Sequence, residues 1–428
     1  MDHQKLNAAV VALMPRAAAL FDALAEATGD GIGITRASYG EGENRAWEIL
    51  CQAATQMGFE VSADAAANLL IKLPGHAPDG AGVIIGSHLD SVPVGGNFDG
   101  AAGAVAGLIA IAALRETGYQ NAQDITVMGI RGEETAWFSV HHIGTRAALG
   151  LLPAAEIDTA TRFDTGRTLG THMADIGCDL DRLRRGEPTW KPESIKAFFE
   201  LHIEQGPVLV HEDIPVGIVS GIRGNMRARD VKSTGVYAHS GALPRDLRND
   251  AVLAAVEVVA AAEAEWERLL AKGHDMVLTV GKFYTDADQH SHNKVPGLVS
   301  MCFDVRSVEQ SMLEHMGRFL AENAERIGAR RQVPIELGKV SYTRPAEMAP
   351  RLRAQLIDCA HKCGVSMIEM ASGGGHDAGD FANAGVDSAM VFVRNPNGSH
   401  NPDEHMEISD FCEAVKILTC AVALEAAS

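Results

Sequence analysis

GSHLDSVPVGGNFDGAAG, residues 86–103, joins the end of an apolar strand pattern (VIIGS, 83–87) to the start of a Gly/Ala-rich helix pattern, with His88, Asp90 and Asp99 in the turn between them. Polar residues gathered where an apolar strand gives way to a helix mark an open α/β sheet, whose ligand sites lie at strand C-terminal ends. His88 and Asp90 stand two apart on one side of an extended segment. The Asp90 carboxylate can therefore accept the proton of the imidazole nitrogen that faces away from a metal. Alone, a His-x-Asp pair is more often a satisfied core histidine, but the flanking glycines and Asp99 favour a site.

Working outward, residues 41–150 alternate between helix and strand: a helix over 46–57, strands over 68–72 and 83–87, a helix after Asp99, and a strand over 125–131. That alternation is the pattern of an α/β layer fold. After residues 151–192, rich in loops, IKAFFELHIEQG (195–206) returns as a strand. The rhythm then changes to strand 228–236, helix 248–272, strands 275–283 and 298–306, helix 308–327 and strand 333–342. This βαββαβ order commonly folds as a four-stranded sheet backed by two helices. The expected organisation is a discontinuous first domain, 1–213 and 341–428, interrupted by a second, 214–340, with a closing helix over 408–426.

A chain of 428 residues exceeds what one core usually supports, which agrees with two domains. Lys and Arg number 37 against 56 Asp and Glu, a net charge of -19 that disfavours nucleic acid and anionic membranes as partners. Seven scattered cysteines with no CxxC pair read as thiols in a reducing, cytoplasmic setting rather than as a disulfide frame. The apolar N-terminal segment AAVVALMPRAAALFDALAEA (8–27) is interrupted by Pro15 and Arg16 and reads as an amphipathic helix, not a signal.

Three further clusters carry polar groups at apolar strand ends. GIRGEETAWF (129–138) sets Glu133 beside Glu134, a costly pair to bury without cations or a shared proton, though as readily a solvated turn. FFELHIEQGPVL (198–209) offers His202, Glu204 and Gln205, and GSHNPDEH (398–405) offers His400. The set His88, Asp99, Glu134, His202 and His400 contains imidazoles and carboxylates but no thiolate, which suits catalytic Zn2+, with Mn2+ or Ni2+ as alternatives. One carboxylate bridging two ions about 3.5 Å apart would leave each an open position.

With GSHLDS, NFDG, GEE, HIEQGP, HSGALPRDLRNDA, NKVPG, SGGGHDA and GSHNPDE in order from about Gly33 onward, the chain resembles the hydantoinase/carbamoylase amidases of the M20 metallopeptidase superfamily. These include N-carbamoyl-L-amino acid hydrolases, allantoate amidohydrolases and β-ureidopropionases. The resemblance implies a zinc-exopeptidase-like catalytic domain with an inserted ferredoxin-like dimerisation or lid domain. It implies a homodimer with two divalent ions per subunit and a small ureido acid as substrate. It assigns His88 and His202 to one ion, Glu134 and His400 to the other, Asp99 as the bridge and Glu133 as general base toward the attacking water. By the same resemblance His239 steadies the oxyanion from a neighbouring subunit, and Gln205, Asn293 and Arg306 hold the substrate, Arg306 by its carboxylate. His376, in the Gly-rich SGGGHDA, joins the substrate contacts or orients them.

One departure stands out: Thr135-Ala136-Trp137-Phe138 replaces the Gly-Ser-Arg-Phe of many relatives, bringing an indole where it would reshape the pocket wall. Two other readings compete. An aminoacylase or dipeptidase would use the same metal chemistry on another amide, and a binding protein would keep the fold without turnover.

Overall fold

The computed structural model describes residues 2–77 and 80–427. It contains two compact units, one running to Ser220 and resuming at Glu347, the other spanning Gly221–Ala346. The first unit opens with the helix His3–Thr28, whose N-terminal amides of Gln4 and Lys5 are both capped by Asp2. The segment is helical as expected, and Pro15 is accommodated inside the helix. Pro15 and Val11 both lie on the exposed face, so water can replace the backbone hydrogen bond the ring removes. The helix is long and apolar enough to cross a membrane. Its stripe of Leu6, Val10, Leu13, Ala17 and Leu24, however, is buried in the main core.

The strands that follow are β1 (Glu60–Ala63), β2 (Leu69–Leu73), β3 (Gly82–His88), β4 (Ile125–Ile130), β5 (Ile195–Ile203) and β6 (Val216–Ile222). Every residue of β4 is buried, as in a strand covered on both faces. The helix Ala101–Glu116 lies against this layer so closely that a Cβ on Gly103 would sit 2.2 Å from the Leu201 carbonyl oxygen. Only glycine permits that approach.

The second unit holds β7 (Gly224–Thr234), β8 (Ala238–His239), β9 (Val277–Thr279), β10 (Phe283–Thr285), β11 (Lys294–Val295), β12 (Leu298–Ser307), β13 (Ile335–Glu336) and β14 (Val340–Thr343). β12 and β7 pair antiparallel at the centre; β9 and β10 share one side and β13 and β14 the other. Counting each broken edge as one position, this is a βαββαβ unit with its two helices, Ala251–Leu270 and Gln310–Arg331, between strands. β12 alternates buried and half-buried residues. Val299, Met301, Phe303 and Val305 enter this unit's core, so Asp304 and Arg306 stand on the opposite face.

The chain then adds β15 (Ala346–Glu347), β16 (Met367–Ser372) and β17 (Ser388–Val393) to the first sheet, in the order β1-β2-β4-β3-β5-β17-β6-β15, with β16 on β6. Both unit boundaries fall later than the 213/214 and 340/341 junctions expected from sequence. β6 is held in the first sheet by antiparallel pairing with β17, and β14 in the second by pairing with β7. The four inner strands β4, β3, β5 and β17 run parallel, with His88 level with Ile130 and His202 level with Phe392. Their C-terminal ends therefore deliver the four polar clusters to one edge of the sheet.

Candidate active site

Two triangles of donor atoms meet at Asp99. In one, His88 Nε2 and His202 Nε2 lie 3.3 Å apart, and 3.3 and 3.1 Å respectively from Asp99 Oδ1. In the other, His400 Nε2 lies 3.4 Å from Asp99 Oδ2 and 3.6 Å from Glu134 Oε1. Ligands at about 2.1 Å from a tetrahedral ion stand about 3.4 Å apart, which the three edges of the first triangle and the two His400 edges of the second approach. Asp99 Oδ1 is buried and makes no hydrogen bond, as a carboxylate oxygen reserved for a cation would.

The imidazole tautomers suit the same purpose. His88 Nδ1 lies 3.0 Å from the Asp90 carbonyl oxygen and 3.4 Å from its carboxylate, and His202 Nδ1 lies 2.9 Å from the Ile203 carbonyl oxygen. Each ring thus donates its Nδ1 proton to a fixed acceptor and turns the Nε2 lone pair toward Asp99. Burial, followed by the charges of Glu133 and Asp99, pushes the Glu134 carboxyl well up. A pocket that concentrates carboxylates in this way gains from divalent cations.

Asp90 organises Glu133 and Glu134 as well as His88. Its two carboxylate oxygens accept the backbone N–H groups of Glu133 and Glu134 at 3.0 and 3.1 Å and the Ser38 hydroxyl at 2.5 Å. Residues that the sequence reading passed over complete the frame. Arg36, fully buried, donates to the carbonyl oxygens of Asn97 and Asp99. Glu404 accepts from the amides of Phe98 and Asp99, and Ser399 bridges Glu404 and Asp99. Ser399 and Glu404 share the short motif that carries His400, whereas Arg36 lies outside every motif quoted.

Glu133 is met by a further overlooked residue, His142, whose Nε2 lies 3.1 Å from Glu133 Oε1. Gln205, with φ +62, donates from Nε2 to Asp99 Oδ2 at 2.8 Å, and His400 has φ +60. Non-glycine residues in the left-handed region are costly and gather at functional sites. The Gly-rich turn makes room for side chains: a Cβ on Gly374 would sit 3.1 Å from Gln205 Oε1, and one on Gly375 would sit 3.4 Å from His142 Nε2. His376 is only 2% exposed, packs edge-on against His202 and bonds Ser372 Oγ at 2.9 Å, so it stands behind a proposed ligand. Trp137 does not form an open wall. It is buried, stacks on Phe163 and donates from Nε1 to the Ser91 carbonyl oxygen at 2.7 Å.

The remaining candidates belong to the second unit. His239 and Lys294 pair across β8 and β11, and the Ser240 amide donates to the Asn293 carbonyl oxygen, which brings His239 and Asn293 together. The amides of Gly241 and Ala242 donate to His239 Nδ1 at 3.2 Å each, which places the ring proton on Nε2. Arg306 Nε and Nη2 grip Asp304 at 3.0 and 3.4 Å, and Arg227 shares that carboxylate.

Residues 84–424 match the family described as peptidase family M20/M25/M40. The chain is 33% identical over 392 residues to the N-carbamoyl-L-amino acid amidohydrolase of Geobacillus stearothermophilus, covering 90% of this chain and 92% of that one. It is 31% identical over 363 residues to the allantoate amidohydrolase of Escherichia coli strain K12, covering 84% and 85%. Among solved structures, a hydantoinase/carbamoylase family amidase from Burkholderia multivorans superposes with a TM-score of 0.85 at 26% identity, covering 97% and 98%.

Proposed function

The chain belongs to peptidase family M20/M25/M40, within its hydantoinase/carbamoylase amidases, and on that premise we propose a metal-dependent amidohydrolase acting on an N-carbamoyl-L-amino acid or similar ureido acid. It breaks the ureido C–N bond and releases amino acid, CO2 and ammonia. The observation that carries this reading is Asp99, which presents one oxygen to each triangle of donors. His88 and His202 would hold one divalent ion, Glu134 and His400 the other, with Asp99 between them; Zn2+ fits these donors, as do Mn2+ and Ni2+. Such ions polarise the scissile carbonyl and acidify water near neutral pH.

The side chains do the rest. Glu133 takes the proton of the attacking water and returns it to the leaving nitrogen. His239, with its proton on Nε2, donates to the developing oxyanion and is assigned to a second copy of the chain. Gln205 and Asn293 hold the ureido group, and Arg306 the substrate carboxylate, for which it exchanges its grip on Asp304. We read the enzyme as a homodimer assembled through the second unit. Seven free cysteines support a cytoplasmic setting.

The likeness to an allantoate amidohydrolase makes allantoate a second substrate to test. Ammonia release would be followed from N-carbamoyl amino acids, β-ureidopropionate and allantoate, beside cleavage of acyl amino acids and dipeptides. Turnover of a ureido acid is expected. Cleavage confined to acyl or peptide bonds would overturn the substrate class.

A further inference from the structure

The carboxylate proposed as general base is not left to solvent. His142 Nε2 lies 3.1 Å from Glu133 Oε1, while His142 Nδ1 lies 2.6 Å from Asp380 Oδ2. All three groups are largely withdrawn from water, with side-chain exposures of 12% for Glu133, 14% for His142 and 22% for Asp380. A neutral imidazole carries one N–H, so two contacts to ionised carboxylates require the ring to carry both protons or one carboxyl to be protonated. Burial opposes charge on the ring, but Asp380 and Glu133 outweigh it and hold His142 well above the ordinary histidine range.

The backbone fixes this arrangement. His142 N donates to Glu133 O, Ile143 N to Gly132 O, and Gly144 N to Arg131 O, so residues 142–144 run back along the segment that carries the base. A Cβ on Gly144 would lie 2.4 Å from the Arg131 carbonyl oxygen, so this return is possible only with glycine there. His142 itself is held at φ +48, a conformation that costs a non-glycine residue energy and persists where surroundings enforce it. Asp380 arrives from the helix Asp377–Asn383, just after the Gly-rich turn.

We propose that His142, oriented by Asp380, is a positioning residue that fixes the Glu133 carboxylate for proton transfer. This rests on the reading of Glu133 as general base. Without the imidazole, the carboxylate samples other rotamers and the fraction poised toward the attacking water falls. Loss of an orienting partner outside a site's reacting groups typically costs about 10- to 100-fold.

The test uses the full-length, metal-loaded protein. His142→Asn tolerates a left-handed backbone and reaches toward Asp380 but falls short of Glu133. It is expected to lower kcat about 10- to 100-fold, leaving KM and metal content near wild type. His142→Gln, whose amide can reach Glu133, should recover most of the loss. Asp380→Asn should lower kcat by less, and the double variant with His142→Asn should be no worse than His142→Asn alone. Full kcat in His142→Asn, or losses that multiply in the double variant, would overturn the proposal while leaving the ureido reading in place. An independent readout comes from the downfield imidazole N–H proton resonances of the metal-free protein. Signals from both His142 nitrogens are expected, both vanishing in His142→Asn and the Nδ1 signal moving in Asp380→Asn. Absence of slowly exchanging His142 N–H signals would refute the positioning even if no ureido acid were turned over.

Discussion

Gly100→Ala strikes at the point where backbone and ligand geometry meet. Gly100 adopts φ +66 and ψ -51, so any side chain there carries a backbone penalty of about 1 to 3 kcal/mol. The added Cβ would also fall 2.4 Å from His88 Nδ1 and Cε1, far inside ordinary contact. His88 cannot swing aside cheaply, because Asp90 holds its Nδ1 and the ring is 2% exposed. Overpacking of a filled interior adds about 1 to 3 kcal/mol, for a total of about 2 to 6 kcal/mol. Whether ring or backbone yields, the triangle of His88, His202 and Asp99 loses its edge lengths. Urea unfolding of metal-free protein should show the stability loss. Metal analysis after dialysis should show depletion that falls first on the His88 side. A variant with a wild-type midpoint and full metal content would refute the reasoning about both the glycine and the ligand.

Burial pushes the Glu43 carboxyl up to about 7 from 4.5, against the pull of Arg131 at 2.7 Å. Folded Glu43 therefore keeps a proton that the unfolded chain releases, so its contribution to stability falls as pH rises from about 4.5 to about 7 and is flat above. The shift amounts to about 3 kcal/mol, and the difference in stability between wild type and Glu43→Gln across that window should show it; parallel pH profiles would contradict it. Asp90→Ala removes the acceptor of the Glu133 and Glu134 amides and of the Ser38 hydroxyl, and should cost about 3 to 5 kcal/mol together with nearly all turnover; near-normal stability by urea titration would count against its organising role.

The main layer was legible because each of its four inner strands ends in a local signal: an apolar run followed by His88, by Glu133 and Glu134, by His202, or by the loop to His400. The pattern of the second unit was legible for the same reason, since β12 alternates strictly and both helices are long. Contacts without a local period were hidden. His142 and Asp380 lie 238 positions apart, and neither sits at a recognisable strand end. Arg36 supports Asp99 from a distant segment, and nothing in its neighbours announces a buried partner. The N-terminal helix was legible in the apolar spacing of its buried stripe, and Pro15 falls on the exposed face of that helix. The inward turn of Trp137 was hidden, because Ser91 and Phe163, its partners, come from other parts of the chain.

The central claim is a pair of divalent ions sharing Asp99 beside a general base at Glu133. Its most direct test strips the protein with a chelator, then titrates Zn2+ back while ammonia release from an N-carbamoyl-L-amino acid and bound metal are followed together, for wild type and Glu133→Gln. The account expects no turnover without metal and recovery that saturates near two ions per subunit. It expects Glu133→Gln to bind the same two ions while losing at least about a hundredfold in kcat. Turnover that persists without metal, or a Glu133→Gln protein that works as well as wild type, would contradict it.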